Sequence, residues 1–265
     1  MRLDVFLVEK GFFSSREMAK FNIAKGNVTV NGKAARKPSQ PVTGDDCVEL
    51  VEENVIPYVS RGGLKLERAL EFFNIDCSGL NVLDVGASTG GFTHCVLKHG
   101  AGYVCAVDVG SNQLDFTLRM HKNVKSLENT NIKELDLDAA GGMPFDLLVA
   151  DLSFISLTKV LEFLPKFLKS QGRAITLIKP QFEVGQSQLS KAGIVSNPKA
   201  HVMAIEKVVQ HAAAVGLHLI GLTYSPIHHD TGNIEYLALW GNEFHAPSNI
   251  KAVVDGAFAL KKQFY

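Results

Sequence analysis

The segment Asn81-Val82-Leu83-Asp84-Val85-Gly86-Ala87-Ser88-Thr89-Gly90-Gly91-Phe92-Thr93 narrows the folds open to this chain more than any other. Five residues suited to a buried strand run into a glycine-rich turn and then into the first turn of a helix. Glycines at 86, 90 and 91 allow positive φ and let a backbone approach a ligand that side chains would exclude. A second apolar stretch ends at Asp108, about twenty residues further on, where a carboxylate can take hydrogen bonds from both hydroxyls of a ribose. The two signals together read as an adenosine site at the ends of neighbouring parallel strands. A tight strand-to-helix turn with no ligand is the plainer alternative, and the distal aspartate weighs against it.

The spacing is not the dinucleotide pattern G-x-G-x-x-G, because three residues separate Gly86 from the next glycine. A pyrophosphate-bearing nucleotide fits less well than an aminoacyl nucleoside, whose ammonium group Asp84 could meet at the strand end. S-adenosylmethionine is the ligand of that description. Its expected contacts are Asp84, Gly86, Ser88, Gly90, Gly91, Phe92 and Asp108, with Glu128 and Asn131 on the adenine side.

Around this loop, apolar strands alternate with amphipathic helices, the pattern of a sheet covered on both faces. Strands are expected at Asn81–Val85, Tyr103–Asp108, Val124–Leu127, Leu147–Ala150, Ala174–Ile178, His218–Tyr224 and Ile234–Leu239, the last two pairing antiparallel at the sheet edge. The fold class is therefore α/β: a Rossmann-like, seven-stranded domain of the S-adenosylmethionine-dependent type, preceded by a small α+β unit. The expected partition is 1–55, a linker over 56–62, and 63–265. Hydrophobic residues make up 46% of the chain, enough for a real core. Cys47, Cys77, Cys95 and Cys105 lack zinc-ligand spacing and read as buried, reduced thiols, so no metal is expected. No apolar run reaches the roughly 18–20 residues of a membrane helix, and no secretory leader is recognised. A cytoplasmic location is expected.

The first unit reads as helix, helix, hairpin. Ser14 and Glu17 match a capping box for a helix ending near Ala24, with Gly26 as its stop. Val28-Thr29-Val30, then Asn31-Gly32, then Lys33 reads as two strands joined by a type I′ turn. The whole chain carries 27 basic and 27 acidic residues, so net charge is uninformative. From Met1 to Lys37, however, eight basic residues face three acidic ones, an excess of five. Arg2, Arg16, Lys20, Lys25 and Lys33, with Arg61 beside the linker, are candidate contacts to RNA phosphates.

Four further ionisable residues fall where such a sheet presents its strand ends or a neighbouring helix: Lys65, Asp151, Lys179 and Glu235. A lysine closing a strand as apolar as Ala174–Ile178 is costly without partners. A ribose hydroxyl is a poor nucleophile, and methyl transfer to it benefits from a base in hydrogen-bond reach. Lys179 is the candidate base. Lys65 could lower its pKa and hold the hydroxyl, while Asp151 and Glu235 orient the amines; close pairing would instead raise the lysine pKa, a balance the sequence leaves open.

These residues resemble the TlyA family of rRNA 2′-O-methyltransferases, also catalogued as haemolysins, and the larger domain is similar to FtsJ/RrmJ enzymes. The N-terminal part looks like an S-four RNA-binding domain through Ser15-Arg16-Glu17, Gly26, Val30-Asn31-Gly32 and Gly44-Asp45. The rest is similar in Val59-Ser60-Arg61-Gly62-Gly63, the glycine loop, Ala150-Asp151-Leu152-Ser153-Phe154-Ile155-Ser156 and Lys179-Pro180-Gln181-Phe182-Glu183. The resemblance implies methylation of ribosomal RNA or ribosomal subunits, with Lys65, Asp151, Lys179 and Glu235 matching the family's Lys-Asp-Lys-Glu tetrad. The rivals are a membrane-active haemolysin, or a protein that binds cofactor and RNA without catalysis. Departures from the family pattern fall at Ser196-Asn197, where Arg-Asp is expected, at His228-His229-Asp230, and at Phe21-Asn22-Ile23.

Overall fold

The computed structural model describes residues 1–13, 15–24, 26–51, 56–227, 232–243 and 249–264, and its contacts divide into two compact units, 1–61 and 62–265. In the first unit, helices α1 (Leu3–Glu9) and α2 (Arg16–Ala24) precede strands β1 (Val28–Val30), β2 (Lys33–Ala34) and β3 (Val48–Leu50). Leu3, Phe6 and Leu7 recur at helical spacing and are buried with Ala19 and Ile23 of α2 and Val28 of β1. Ser14 of the expected capping box lies outside the described residues, and it is the Ser15 hydroxyl that accepts the Met18 N–H, at 3.3 Å. Asn31 and Gly32 take φ of 53° and 72°, the positive pair a type I′ turn requires, and β1 pairs antiparallel with both β2 and β3.

Two departures from the family pattern have local explanations. Asn22 is fully buried and satisfied: its amide donates to the Met18 carbonyl at 2.9 Å and its oxygen accepts from Asn27 at 2.8 Å. Asn197 caps a later helix by accepting the Lys199 N–H, a task an aspartate there would share. The His228–Asp230 departure lies outside the described residues.

The second unit begins with α3 (Gly62–Phe73) and continues through β4 (Asn81–Val85), α4 (Gly91–Lys98), β5 (Tyr103–Val107), α5 (Phe116–Arg119), β6 (Val124–Leu127), α6 (Leu137–Ala140), β7 (Phe145–Ala150), α7 (Thr158–Leu161) and β8 (Leu168–Ile178). It ends with α8 (Pro180–Glu183), α9 (Pro198–Ala214), β9 (His218–Tyr224), β10 (Tyr236–Gly241) and α10 (Ile250–Phe264). The sheet order is β6-β5-β4-β7-β8-β10-β9, parallel except for β10, which runs antiparallel to both β8 and β9. All seven expected strands are present. β8 starts six residues before Ala174, because Lys169-Ser170-Gln171 is exposed and polar and carries no buried-strand signal. Cys77, Cys95 and Cys105 are buried free thiols, but Cys47 is exposed, a correction: it lies in the turn before β3, its N–H donating to Asn31 Oδ1.

Candidate active site

Sheet topology brings the charged residues together. β4, β7 and β8 are parallel neighbours, so the residues following them, Gly86, Asp151 and Lys179, emerge at one edge. β10 enters the sheet from that same edge in the opposite direction, with Tyr236 opposite Ile178, so Glu235 arrives beside Lys179. Lys65 is supplied by α3, which packs on α4 and touches β9 and β10.

The four side chains form one ion-pair network. Lys65 Nζ lies 3.3 Å from Asp151 Oδ2 and 2.7 Å from Glu235 Oε2, while Lys179 Nζ lies 2.6 Å from Asp151 Oδ1 and 3.9 Å from Glu235 Oε1. Lys65, Lys179 and Glu235 are buried, and Asp151 keeps 21% of its side chain exposed, so the network opens to solvent at the aspartate. Two positive and two negative groups balance, which is what permits their burial. Burial pushes the Lys65 amine down, but Asp151 and Glu235 outweigh it and raise it above its ordinary value. Burial likewise works to raise the Asp151 carboxyl, and the two ammonium groups overcome it and hold it below the usual range. Lys65 and Asp151 are thus each stabilised in the charged form by the other. Lys65 is a fixed cation.

The glycine loop lies against this network. A Cβ on Gly86 would stand 3.2 Å from the Asp151 carbonyl oxygen and 2.8 Å from a Leu152 methyl, and Gly86 has φ of 80°. Gly90, at φ of 94°, backs onto Leu114 and Leu118. At these two positions the room a side chain would need is taken by the protein's own atoms, a different reason for glycine from the ligand approach expected. Asp84 is buried; its Oδ2 accepts the Thr93 hydroxyl at 2.6 Å, and its Oδ1 has no hydrogen-bond partner. Burial pushes its carboxyl up to about 7, with the Asp151 and Asp108 charges adding to the effect. An orphaned carboxylate oxygen beside a glycine loop suits a cationic group, and the ammonium of S-adenosylmethionine fits it. Asp108 spends one acceptor position of each oxygen inside the chain, on the N–H groups of Ser88 (2.8 Å) and Gly110 (2.7 Å). Glu128 accepts three N–H groups, from Asn112, Gln113 and Leu114, which hold its carboxyl below the usual range; it shapes the 110–114 loop. Asn131 accepts the Lys133 N–H in a local turn.

Several supporting residues escaped the sequence reading. The Ser153 hydroxyl accepts a hydrogen bond from Lys179 at 2.8 Å. Glu183, buried, accepts the Ser156 hydroxyl at 2.5 Å and the Leu157 N–H at 2.7 Å, tying the segment after β7 to α8. Buried His201 contacts the Tyr236 hydroxyl and the Val195 carbonyl, both at 2.9 Å, while Asn233 holds the same loop through the Val195 N–H. Phe154 stands 92% exposed at φ of 63°, its ring 5.5 Å from that of Phe182. Ser153, Phe154 and Glu183 sit in motifs already singled out; their roles depend on contacts that no spacing encodes.

On the first unit, Arg2 and Arg16 are exposed and both pair with Asp4, Lys33 is exposed, and Lys20 is half-buried. The Arg61 guanidinium lies over the Phe21 ring at 5.0 Å, and Lys25 lies outside the described residues. Among the described residues no group of His, Cys, Asp or Glu is arranged to hold a metal, and no helix is long and apolar enough to cross a membrane.

A seven-stranded sheet with an antiparallel strand inserted beside its edge, a glycine loop after β4 and an acid just after β5 here belong to a methyltransferase of the FtsJ-like class. The FtsJ-like methyltransferase model matches residues 58–242, and the S4 domain model matches residues 1–48. The chain belongs to the FtsJ-like methyltransferases and, within them, to the TlyA family. It is 41% identical to the 16S/23S rRNA (cytidine-2′-O)-methyltransferase TlyA of Mycobacterium tuberculosis, over 90% of this chain and 88% of that one. It is 40% identical to Hemolysin A of Brachyspira hyodysenteriae, over 90% and 98% of the two chains. A solved structure named as a hemolysin, from Streptococcus thermophilus, covers 100% of this chain and 98% of its own, with 38% identity and a TM-score of 0.80.

Proposed function

We propose that this chain methylates the 2′-hydroxyl of a cytidine in ribosomal RNA, with Lys65, Asp151, Lys179 and Glu235 as its catalytic residues. The observation that carries the reading is the balanced four-residue ion network, whose Asp151 has its backbone carbonyl against Gly86 of the glycine loop. Asp84, the 86–91 loop, Phe92 and Asp108 would hold S-adenosylmethionine, with the 110–114 loop shaped by Glu128, and Asn131, near the adenine. When bound, the cofactor supplies a methyl group on a positively charged sulfur, ready for displacement by an oxygen nucleophile.

The protein's own task is to place that oxygen and take its proton. Lys65, held cationic by two carboxylates, orients the hydroxyl and offsets negative charge developing on its oxygen. Lys179 would accept the hydroxyl proton at Nζ as the ribose oxygen takes the methyl group and the donor, its S–CH3 bond broken, leaves as the neutral thioether. Asp151, 2.6 Å away, then stabilises the ammonium, and Ser153 fixes the direction of the amine. Phe154, large, exposed and three residues beyond Asp151, offers a face on which a splayed base can stack. The basic residues of the S4 unit supply phosphate contacts, which dock the RNA without choosing the nucleotide.

The test is labelled methyl transfer into 16S and 23S rRNA, naked and as subunits, with the product mapped by its resistance to alkaline cleavage. A cytidine ribose product from the native chain, absent with Lys179→Ala, supports the proposal. Methyl incorporation on a base, or undiminished turnover by the variant, overturns it.

A further inference from the structure

An acid occupies the middle of the basic N-terminal face. Asp4 has no exposed surface, yet its carboxylate is paired with two half-exposed arginines fourteen residues apart in the chain. Arg2 donates Nε–H and Nη2–H to Asp4 at 2.9 and 3.3 Å, a two-pronged grip. Arg16 donates Nε–H and Nη2–H to Asp4 Oδ2 at 3.2 and 2.7 Å. A guanidinium carries five N–H donors, so two spent on Asp4 leave three on each arginine for another acceptor. The side chains keep 50% and 51% of their surface exposed.

The backbone roots of this cluster are equally fixed. Arg2 forms a β-bridge with Pro41, the N–H groups of Leu3 and Asp4 donate to the carbonyls of Gln40 and Pro38, and Arg16 opens α2. By Coulomb's law alone, a carboxylate on a face that binds a polyanion weakens the binding. Asp4 is nevertheless buried and gripped by both forks, so each guanidinium is tied to one fixed point. Long arginine side chains lose rotamer freedom when they dock, and holding them beforehand removes that cost.

Resting on the reading of this unit as RNA-binding, we infer that Asp4 is a positioning residue that presets Arg2 and Arg16 as one paired site for the RNA phosphate backbone. The planar forks are tied to one carboxylate while half of each side chain stays exposed, which suits oxygens of the sugar-phosphate chain.

Asp4→Asn and Glu9→Gln remove the same charge, the first from the cluster and the second from the exposed end of α1. Binding of the full chain to 23S and 16S rRNA transcripts is measured across a salt series. Presetting by Asp4 requires Asp4→Asn to weaken binding roughly tenfold and to flatten the salt slope by about one to two phosphate contacts, while Glu9→Gln leaves affinity equal or higher. Tighter or unchanged binding by Asp4→Asn overturns the inference. Arg2→Ala and Arg16→Ala separate the two levels of the reading: if neither alters RNA binding, the docking role itself fails, whereas weakened binding with a neutral Asp4→Asn sinks only the presetting. Should Asp4→Asn not fold, the native chain decides. NMR order parameters of the Arg2 and Arg16 Nε–H groups near the rigid backbone value of about 0.85 support presetting, and values below about 0.6 overturn it.

Discussion

Lys179 and Asp84 show how burial sets chemistry one side chain at a time. Lys179→Ala should lower kcat by about 10²–10⁴ while the dissociation constant for S-adenosylmethionine changes little; single-turnover kinetics and calorimetry check the two halves. Asp84 gives a stability prediction of definite sign. Its folded pKa of about 7 lies above the ordinary 3.8, so from pH 4 to 7 the unfolded chain releases a proton that the folded chain retains. Stability without cofactor should therefore fall across that window, by an amount on the order of a few kcal/mol. Asp84→Asn should raise the apo Tm at pH 8, leave it nearly unchanged at pH 4, and weaken cofactor binding. A variant melting lower than native at pH 8 would contradict the origin assigned to the shift.

At the scale of elements, the strand ends and the short segments behind them form the working parts. Glu183, at the end of α8, holds the segment that carries Ser153 and Phe154 through Ser156 and Leu157. Glu183→Gln keeps the shape but can no longer accept both hydrogen bonds with a full charge. It should cut kcat roughly tenfold with cofactor affinity preserved, and an equal loss in both would point to general misfolding. The strands were legible in the sequence because buried parallel strands read as apolar runs, as Val82-Leu83 and Leu147-Leu148-Val149 do. The polar first half of β8 was not, since an exposed strand extension has no such signature. Candidate tetrad members could be named from their strand-end positions, but their distances depend on β10 entering beside β8, a pairing more than fifty residues apart in the chain. Asp108 and Glu128 show the limit from the other side: both were read as ligand contacts, and both oxygens of each also hold backbone N–H groups.

At the scale of the whole chain, the two compact units divide the labour. Removing residues 1–55, the proposed extent of the RNA-binding domain, should leave S-adenosylmethionine binding intact while weakening rRNA binding and flattening its dependence on salt. A truncated chain with an unaltered salt slope would remove the docking role from that unit. The order of the parts along the polypeptide has a consequence for synthesis. The basic head is finished within the first 61 residues, whereas the last of the four charged groups, Glu235, arrives 170 residues after Lys65. If the S4 unit docks RNA as proposed, a chain emerging from the ribosome would acquire that hold before the antiparallel strand slots home and brings the last carboxylate. Each nascent copy would then pass through a stage in which it can grip the very molecule that is making it and do nothing to it.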